Sequence, residues 1–201
     1  MNVEIVEQYA GIIFDWDGTV VDSQPLNYAA LCTALLPYGV TVDRSWYWQR
    51  LGISTAELLT QLPGSSELPA EDVLAACRRA IIARAGELVP HQPVLALARR
   101  AKAARLGVAV ASGGAADVVR AGIVAVGAAA MFDVVVTREE VEEGKPAPDL
   151  FLEAARRLCV DPARCVVVED AEEGFMAARR AGMAVIDVRS VLAADRSYSE
   201  R

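Results

Sequence analysis

Asp15 and Asp17 stand two residues apart where a short apolar run, Gly11 to Phe14, gives way to Gly18 and Thr19. In an extended loop start, side chains at i and i+2 point the same way. The two carboxylates can therefore face one reacting group, one attacking while the other moves a proton. Gly18 lets the backbone turn sharply and expose its amides. A carboxylate that attacks phosphorus meets repulsion from the phosphate oxygens, so the site must also supply positive charge and hydrogen-bond donors. Ser112 with the amide of Gly113, and Lys145 between Gly144 and Pro146, are candidates for those donors. Glu169 and Asp170 join Asp15 as hard oxygen donors suited to Mg²⁺ with several waters retained. Such clustering is costly without a cation.

These residues act together only if the fold brings them to one place. Gly11 to Phe14, Val108 to Ala111, Phe132 to Val136 and Cys165 to Val168 are apolar runs that stop abruptly at polar residues, and Ala184 to Val188 is a fifth. Such runs predict buried strands. Helical patterns over Val94 to Arg105, Ala115 to Val126, Pro148 to Cys159 and Ala171 to Ala181 alternate with them. The alternation predicts an α/β fold of three layers, a parallel sheet between helices, with the polar stops converging at the carboxyl edge. Residues 21–89 break the pattern and read as consecutive helices punctuated by Gly39, Gly52, Pro63-Gly64 and Pro69. The expected organisation is a core of residues 1–20 and 90–201 with a helical cap at 21–89. Two neighbouring tethers, Val20 to Ser23 and Leu88 to Pro93, would let that cap hinge over the site.

Asp15-Trp16-Asp17-Gly18-Thr19, Ser112, Gly144-Lys145-Pro146 and Glu169-Asp170 together resemble the four ordered motifs of the haloacid dehalogenase superfamily. The helical insert resembles the small cap of its β-phosphoglucomutase-like subfamily. Tyr9-Ala10-Gly11 and Lys145-Pro146-Ala147-Pro148-Asp149 are similar to the sugar-phosphate phosphatases of that group. The resemblance implies a three-layer Rossmann-like core and a phosphatase in which Asp15 becomes an aspartyl phosphate. Asp17 would protonate the leaving oxygen and then activate water. It further implies Mg²⁺ held by the Asp15 carboxylate, the Asp17 carbonyl and Asp170, with Glu169 assisting directly or through water. Trp16, Gly18, Thr19 and Gly113 would line the phosphate, and Thr19, Ser112 and Lys145 would orient it.

Taken singly, each motif has a structural reading: a turn after a strand, a helix cap, a surface lysine, a helix start. His91 is the sole histidine and lies in the second tether, so a Ser/His hydrolase is not expected. Trp46-Tyr47-Trp48 can stack on a sugar or fill the cap's core. Arg50 and Gly52, near Ser54 and Thr55, form a loop that could face the site, with Arg50 on a distal anionic group or simply on the helix surface. The run Arg138 to Glu143 is expected to face solvent. A phosphomutase is the alternative activity. Against it, Thr55 stands where the mutases resembled here carry an anchoring arginine, and Asn27 where a histidine is frequent. A noncatalytic phosphate-ligand binder on the same fold would be expected to lose a motif.

The 201 residues carry 27 acidic against 20 basic side chains, a formal charge of -7. That field disfavours nucleic acid and anionic membranes as partners. The expected partner is a small phosphorylated metabolite of the fructose 1-phosphate or 6-phosphogluconate type, admitted by the small cap. A monomer is favoured over an oligomer. The four cysteines, Cys32, Cys77, Cys159 and Cys165, have no C-x-x-C spacing and lie in apolar stretches, which predicts buried reduced thiols in a cytoplasmic protein. The acidic N-terminal stretch lacks the pattern of a signal peptide.

Overall fold

The computed structural model describes residues 8–51, 53–65, 67–189 and 192. In chain order its elements are β1 (Gly11–Phe14), β2 (Val21–Asp22), α1 (Gln24–Leu35), α2 (Arg44–Trp48), α3 (Thr55–Gln61), α4 (Ala70–Ala83), β3 (Val89–Pro90), α5 (Gln92–Ala103), β4 (Gly107–Ala111), α6 (Ala116–Ala125), β5 (Val134–Val136), α7 (Asp149–Leu158), β6 (Cys165–Glu169), α8 (Glu172–Arg180) and β7 (Ala184–Asp187). All five runs predicted as strands are strands. They form one parallel sheet in the order β5-β4-β1-β6-β7.

Strand periodicity explains the layers. Ile12, Phe14, Val108, Val110, Val166 and Val168 point to one face, where they pack with Val94, Leu95 and Ala98 of α5 and Val119 and Ile123 of α6. Ile13, Ala109, Ala111 and Val167 point to the other, against Leu150, Phe151 and Ala154 of α7 and Ala177 and Ala178 of α8. With both faces covered, the central strands are apolar at every position, which is why they read as runs instead of alternations. β5 starts two residues later than its run. Asp133 accepts from the Val108 amide at 3.0 Å and pairs with Lys102, so it closes the strand's entry.

The helices between β2 and β3 have a separate core. Leu31 and Leu35 of α1, Tyr47 of α2, Leu58 and Leu59 of α3 and Val73 and Cys77 of α4 form it. The chain enters and leaves this unit through the antiparallel pair β2-β3, with Val21 opposite Pro90 and Asp22 opposite Val89. The His91 amide donates to the Val20 carbonyl at 2.9 Å, so the two tethers lie side by side. Behind them, Gly122 of α6 lies so close to Trp16 and Leu88 that a Cβ there would be 2.8 Å and 3.0 Å from their side-chain atoms.

The cysteine expectation needs correction. All four thiols are free, but only Cys77 and Cys165 are buried; Cys32 is half-buried and Cys159 exposed. Cys159 sits just past α7 with φ 57°, where the helix ends and its side chain is turned outward. Among the described residues no helix is long and apolar enough to cross a membrane.

Candidate active site

The ladder hydrogen bonds do not stop at β1. The Asp15 amide donates to the Val168 carbonyl at 3.0 Å, which fixes the backbone of Asp15 beside β6 and leaves its carboxylate nearly buried. The chain then turns back tightly, with the Trp16 carbonyl accepting from Val20 and Val21 and the Gly18 amide donating to Val21. Gly18 has φ 88°, and a Cβ there would fall on Asp170 Oδ2. Both facts require glycine. Thr19, fully buried, donates through Oγ1 to Asp170 Oδ1 at 2.7 Å and so locks the first loop to the end of β6. The Trp16 side chain is 2% exposed and belongs to the core between sheet and α6. Its side chain is therefore taken up by the core, whereas the sequence reading expected Trp16 to line the phosphate.

Ser112 continues β4 as Asp15 continues β1, its amide donating to the Val136 carbonyl at 3.0 Å. Its hydroxyl accepts from the Gly114 amide at 2.9 Å and lies 3.5 Å from Asp17 Oδ2. Gly113 beside it is exposed, with no atom near the space a side chain would take. Asp17 is held above the ordinary carboxylate range by burial, with Ser23, Lys145, Asn27 and Ser112 pulling the other way. Ser23 is an addition to the site, and Asn27, noted in the sequence only as a departure from the mutases, joins it beside Asp17. Ser23 is 2% exposed and precedes α1, yet its side chain does not cap the helix, and Asn27 donates to its hydroxyl at 3.4 Å. A serine before a helix start reads as a cap from sequence, so only the folded chain reveals it beside Asp17.

Lys145 is delivered by an ordered turn: Arg138, Glu139, Glu142 and Glu143 face solvent as expected, and Glu140 and Val141 are half-buried. Thr137 donates through its amide and hydroxyl to Glu140 Oε2, both at 2.8 Å. Arg157 of α7 clamps Glu140 at 2.7 Å and Glu153 at 2.6 Å. Arg138 folds back onto the carbonyls of Val141 and Glu142, Glu143 donates its amide to Asp149, and Arg180 of α8 donates to the Pro146 carbonyl at 2.9 Å. Thus held, Lys145 Nζ lies 2.5 Å from Asp15 Oδ1 and 2.7 Å from Glu169 Oε2. It also lies 4.9 Å from the Phe151 ring centroid. Burial works against the ammonium charge, but the two carboxylates outweigh it and hold the lysine well above its ordinary value.

Oxygens of Asp15, Glu169 and Asp170 lie within 4.8 Å of one another. Burial raises Asp15, the charges of Glu169 and Asp170 raise it further, and Lys145 only partly offsets them. Burial, with Glu169 nearby, pushes Asp170 up to about 6 despite the Thr19 hydrogen bond. One lysine among three carboxylates leaves an excess of negative charge, and the donors are all hard oxygens. Asp15 Oδ2 and Asp170 Oδ2 take part in none of the bonds above, and the missing side chain of Gly18 keeps the space beside Asp170 Oδ2 clear. This donor set fits a divalent cation such as Mg²⁺. The Asp17 carboxylate is not in the cluster; it faces Ser112.

The loop expected to face the site from the cap is differently occupied. Arg50 lies over the Trp46 ring at 4.3 Å and donates to the Trp46 carbonyl at 3.0 Å and to Gln61 Oε1 at 3.3 Å. These contacts hold it against α2 and α3, with no hydrogen bond or ion pair to the strand-end cluster among the described residues. Gly52 lies outside the described residues. Tyr47, in contrast, is buried in the core formed by α1 to α4, with its hydroxyl donating to Gln24 at 3.0 Å; burial raises its phenol and the charge of Asp17 adds to this.

The family profile of haloacid dehalogenase-like hydrolases matches residues 9–182. The chain is also 34% identical over 189 residues, 91% of its length, to the fructose-1-phosphate phosphatase YqaB of Escherichia coli, of which the match covers 98%. The chain belongs to the haloacid dehalogenase-like hydrolases. Within them it is a phosphoric monoester hydrolase. The crystal structure of CbbY from Rhodobacter sphaeroides in complex with phosphate superposes with a TM-score of 0.81 at 30% identity, covering 89% of this chain and 85% of that one. A β-phosphoglucomutase from Clostridium difficile shares the fold, with a TM-score of 0.70 at 21% identity over 96% of this hydrolase and 100% of the mutase. The fold expected from the order of motifs is therefore the fold found.

Proposed function

We propose that this hydrolase releases phosphate from a small sugar phosphate, through an aspartyl phosphate on Asp15 and with Mg²⁺ as cofactor. The observation that carries the reading is Lys145 Nζ at 2.5 Å from Asp15 Oδ1, opposite a second carboxylate, Asp17, that keeps its proton more readily than a solvated one. Lys145 thereby offsets part of the burial and like charge that raise the nucleophile, and does so beside an acid that can give up a proton.

Asp15 attacks phosphorus in line with the leaving sugar oxygen. Asp17 donates its proton to that oxygen and, as carboxylate, accepts one from the water that hydrolyses the aspartyl phosphate. Ser112 and the Gly113 amide donate to the phosphate oxygens, and Lys145 offsets the charge that builds on Asp15 and the phosphate. Asp15 and Asp170, with the Asp17 carbonyl, would hold Mg²⁺. Bound there, it neutralises phosphate oxygens and lowers the repulsion met by an anionic nucleophile. The unit of residues 21–89 would act as a cap whose closure excludes bulk water.

The relatives support a compact sugar or polyol phosphate; the one named above is a fructose-1-phosphate phosphatase. Hydrolysis is favoured over mutation because Arg50, the nearest substitute for a mutase's cap anchor, is engaged by Trp46 and Gln61. The test is to incubate the protein and Mg²⁺ with a panel of phosphorylated sugars and sugar acids, following free phosphate and sugar isomers together. Phosphate release that disappears in Asp15→Asn, by on the order of 10⁴-fold, is expected. Isomer exchange without release would replace this reading with the mutase, and silence of the whole panel together with p-nitrophenyl phosphate would end both.

A further inference from the structure

Glu169 was grouped by its sequence position with the metal donors, but its carboxylate is otherwise employed. It is 1% exposed, and Oε1 accepts from the amides of Asp170 and Ala171, each at 3.1 Å. Those amides lie just ahead of α8, whose N-cap residue is Ala171 and supplies no side-chain acceptor. Glu169 therefore pins the turn that leads from β6 into α8, and its charge suits the positive end of the helix. Its other oxygen, Oε2, accepts from Lys145 Nζ at 2.7 Å. One side chain thus ties the lysine that faces the nucleophile to the backbone that carries Asp170.

The carboxylate reaches this position because one residue of α8 has no side chain. An ideal Cβ built on Gly174 would overlap Glu169 Oε2, Cδ and Cγ. Gly174 is itself buried, in the first turns of a nine-residue helix. A glycine inside a helix costs about 1 kcal/mol relative to alanine, so the position carries a local cost that the space for Glu169 accounts for.

We propose that Gly174 is a positioning residue: its missing side chain makes the space in which Glu169 brackets Lys145 and the Asp170–Ala171 amides, and Glu169 acts as that bracket and not as a metal ligand. The inference goes beyond the phosphatase reading but shares its site, so its tests include readouts that need no turnover. Gly174→Ala is expected to lower kcat for p-nitrophenyl phosphate about tenfold or more in protein that remains folded, because the methyl drives Glu169 off Lys145. In a Glu169→Ala background, which lacks the Cγ, Cδ and Oε2 atoms that the methyl would meet, the same change is expected to cost less than about twofold. Additive losses in the two backgrounds would overturn the role of Gly174. A single variant that fails to fold while Gly174→Ala/Glu169→Ala folds supports the collision, and failure of both variants while Glu169→Ala alone folds overturns it. Separately, calorimetric titration of Mg²⁺ is expected to give a Kd for Glu169→Gln within about threefold of the parent and for Asp170→Asn at least about tenfold weaker. Equal weakening in the two variants would make Glu169 a ligand and end the proposal. An inert parent enzyme would count against the phosphatase reading, while the titration and folding comparisons would still decide this one.

Discussion

Lys145 is the residue on which the charge balance of the site turns. Its ammonium is the only cation in contact with both Asp15 and Glu169 among the described residues, and all three groups are largely buried. Removing one partner of a buried ion pair leaves the other charge uncompensated. Lys145→Ala is therefore expected to destabilise the metal-free protein by about 3–5 kcal/mol, measured by urea unfolding in EDTA. The same variant should lose most of its turnover with Mg²⁺ present. A loss below about 1 kcal/mol would mean that water reaches the pair and screens it. Arg50 gives the opposite expectation. Because it is stacked on Trp46 and bonded to Gln61, Arg50→Ala should leave kcat/KM for a sugar monophosphate within about threefold of the parent, a difference under about 1 kcal/mol. A loss confined to substrates bearing a second anionic group would show that it swings to the site.

The elements that place these residues are rigid for identifiable reasons. Asp15 and Ser112 prolong the ladders of β1 and β4 by one hydrogen bond each, so their side chains inherit the precision of the sheet. Lys145 lies in a connection that has no such ladder, and Arg157, Arg138 and Arg180 hold it instead. At the back of the first loop, α6 presses Gly122 against Trp16 and Leu88. Gly122→Ala gains helix propensity but introduces a methyl where the indole cannot retreat. The net expectation is a loss of about 1–2 kcal/mol, read from the unfolding midpoint, with a rise in KM or fall in kcat following displacement of Trp16 and its neighbour Asp17. An unchanged midpoint would show that α6 can shift outward freely.

For the whole molecule, the carboxylate cluster couples metal, pH and stability. Asp170 moves from 3.8 to about 6 on folding because burial penalises its charge. A raised carboxylate binds more protons in the folded state than in the unfolded one between those values. Its contribution to the stability of the metal-free protein therefore falls as pH rises from about 4 to about 6. A cation needs the ionised form, so the rise in Tm on adding Mg²⁺ should be larger at pH 7.5 than at pH 5. Thermal scans at both pH values, with Mg²⁺ or EDTA, check this; a Mg²⁺ effect independent of pH would place the metal away from Asp170. Much of the architecture was legible in advance. Apolar runs of four or five residues that stop at Asp15, Ser112 and Glu169 are too short for helices and read as strands buried on both faces, and a parallel sheet brings such ends to one edge. What periodicity does not encode is distance between residues far apart in the chain. Ser23 and Asn27 beside Asp17, the turn that aims Lys145, Arg50 diverted onto Trp46 and the exposure of Cys159 depend on how loops and cap close against the sheet. The sequence by itself determined the fold, the order of the motifs and the kind of chemistry, since burial pattern and residue type are local properties. Only the tertiary structure decided that Glu169 lies under Gly174 with both of its oxygens engaged, because that contact is made by the absence of a side chain one helical turn beyond the strand.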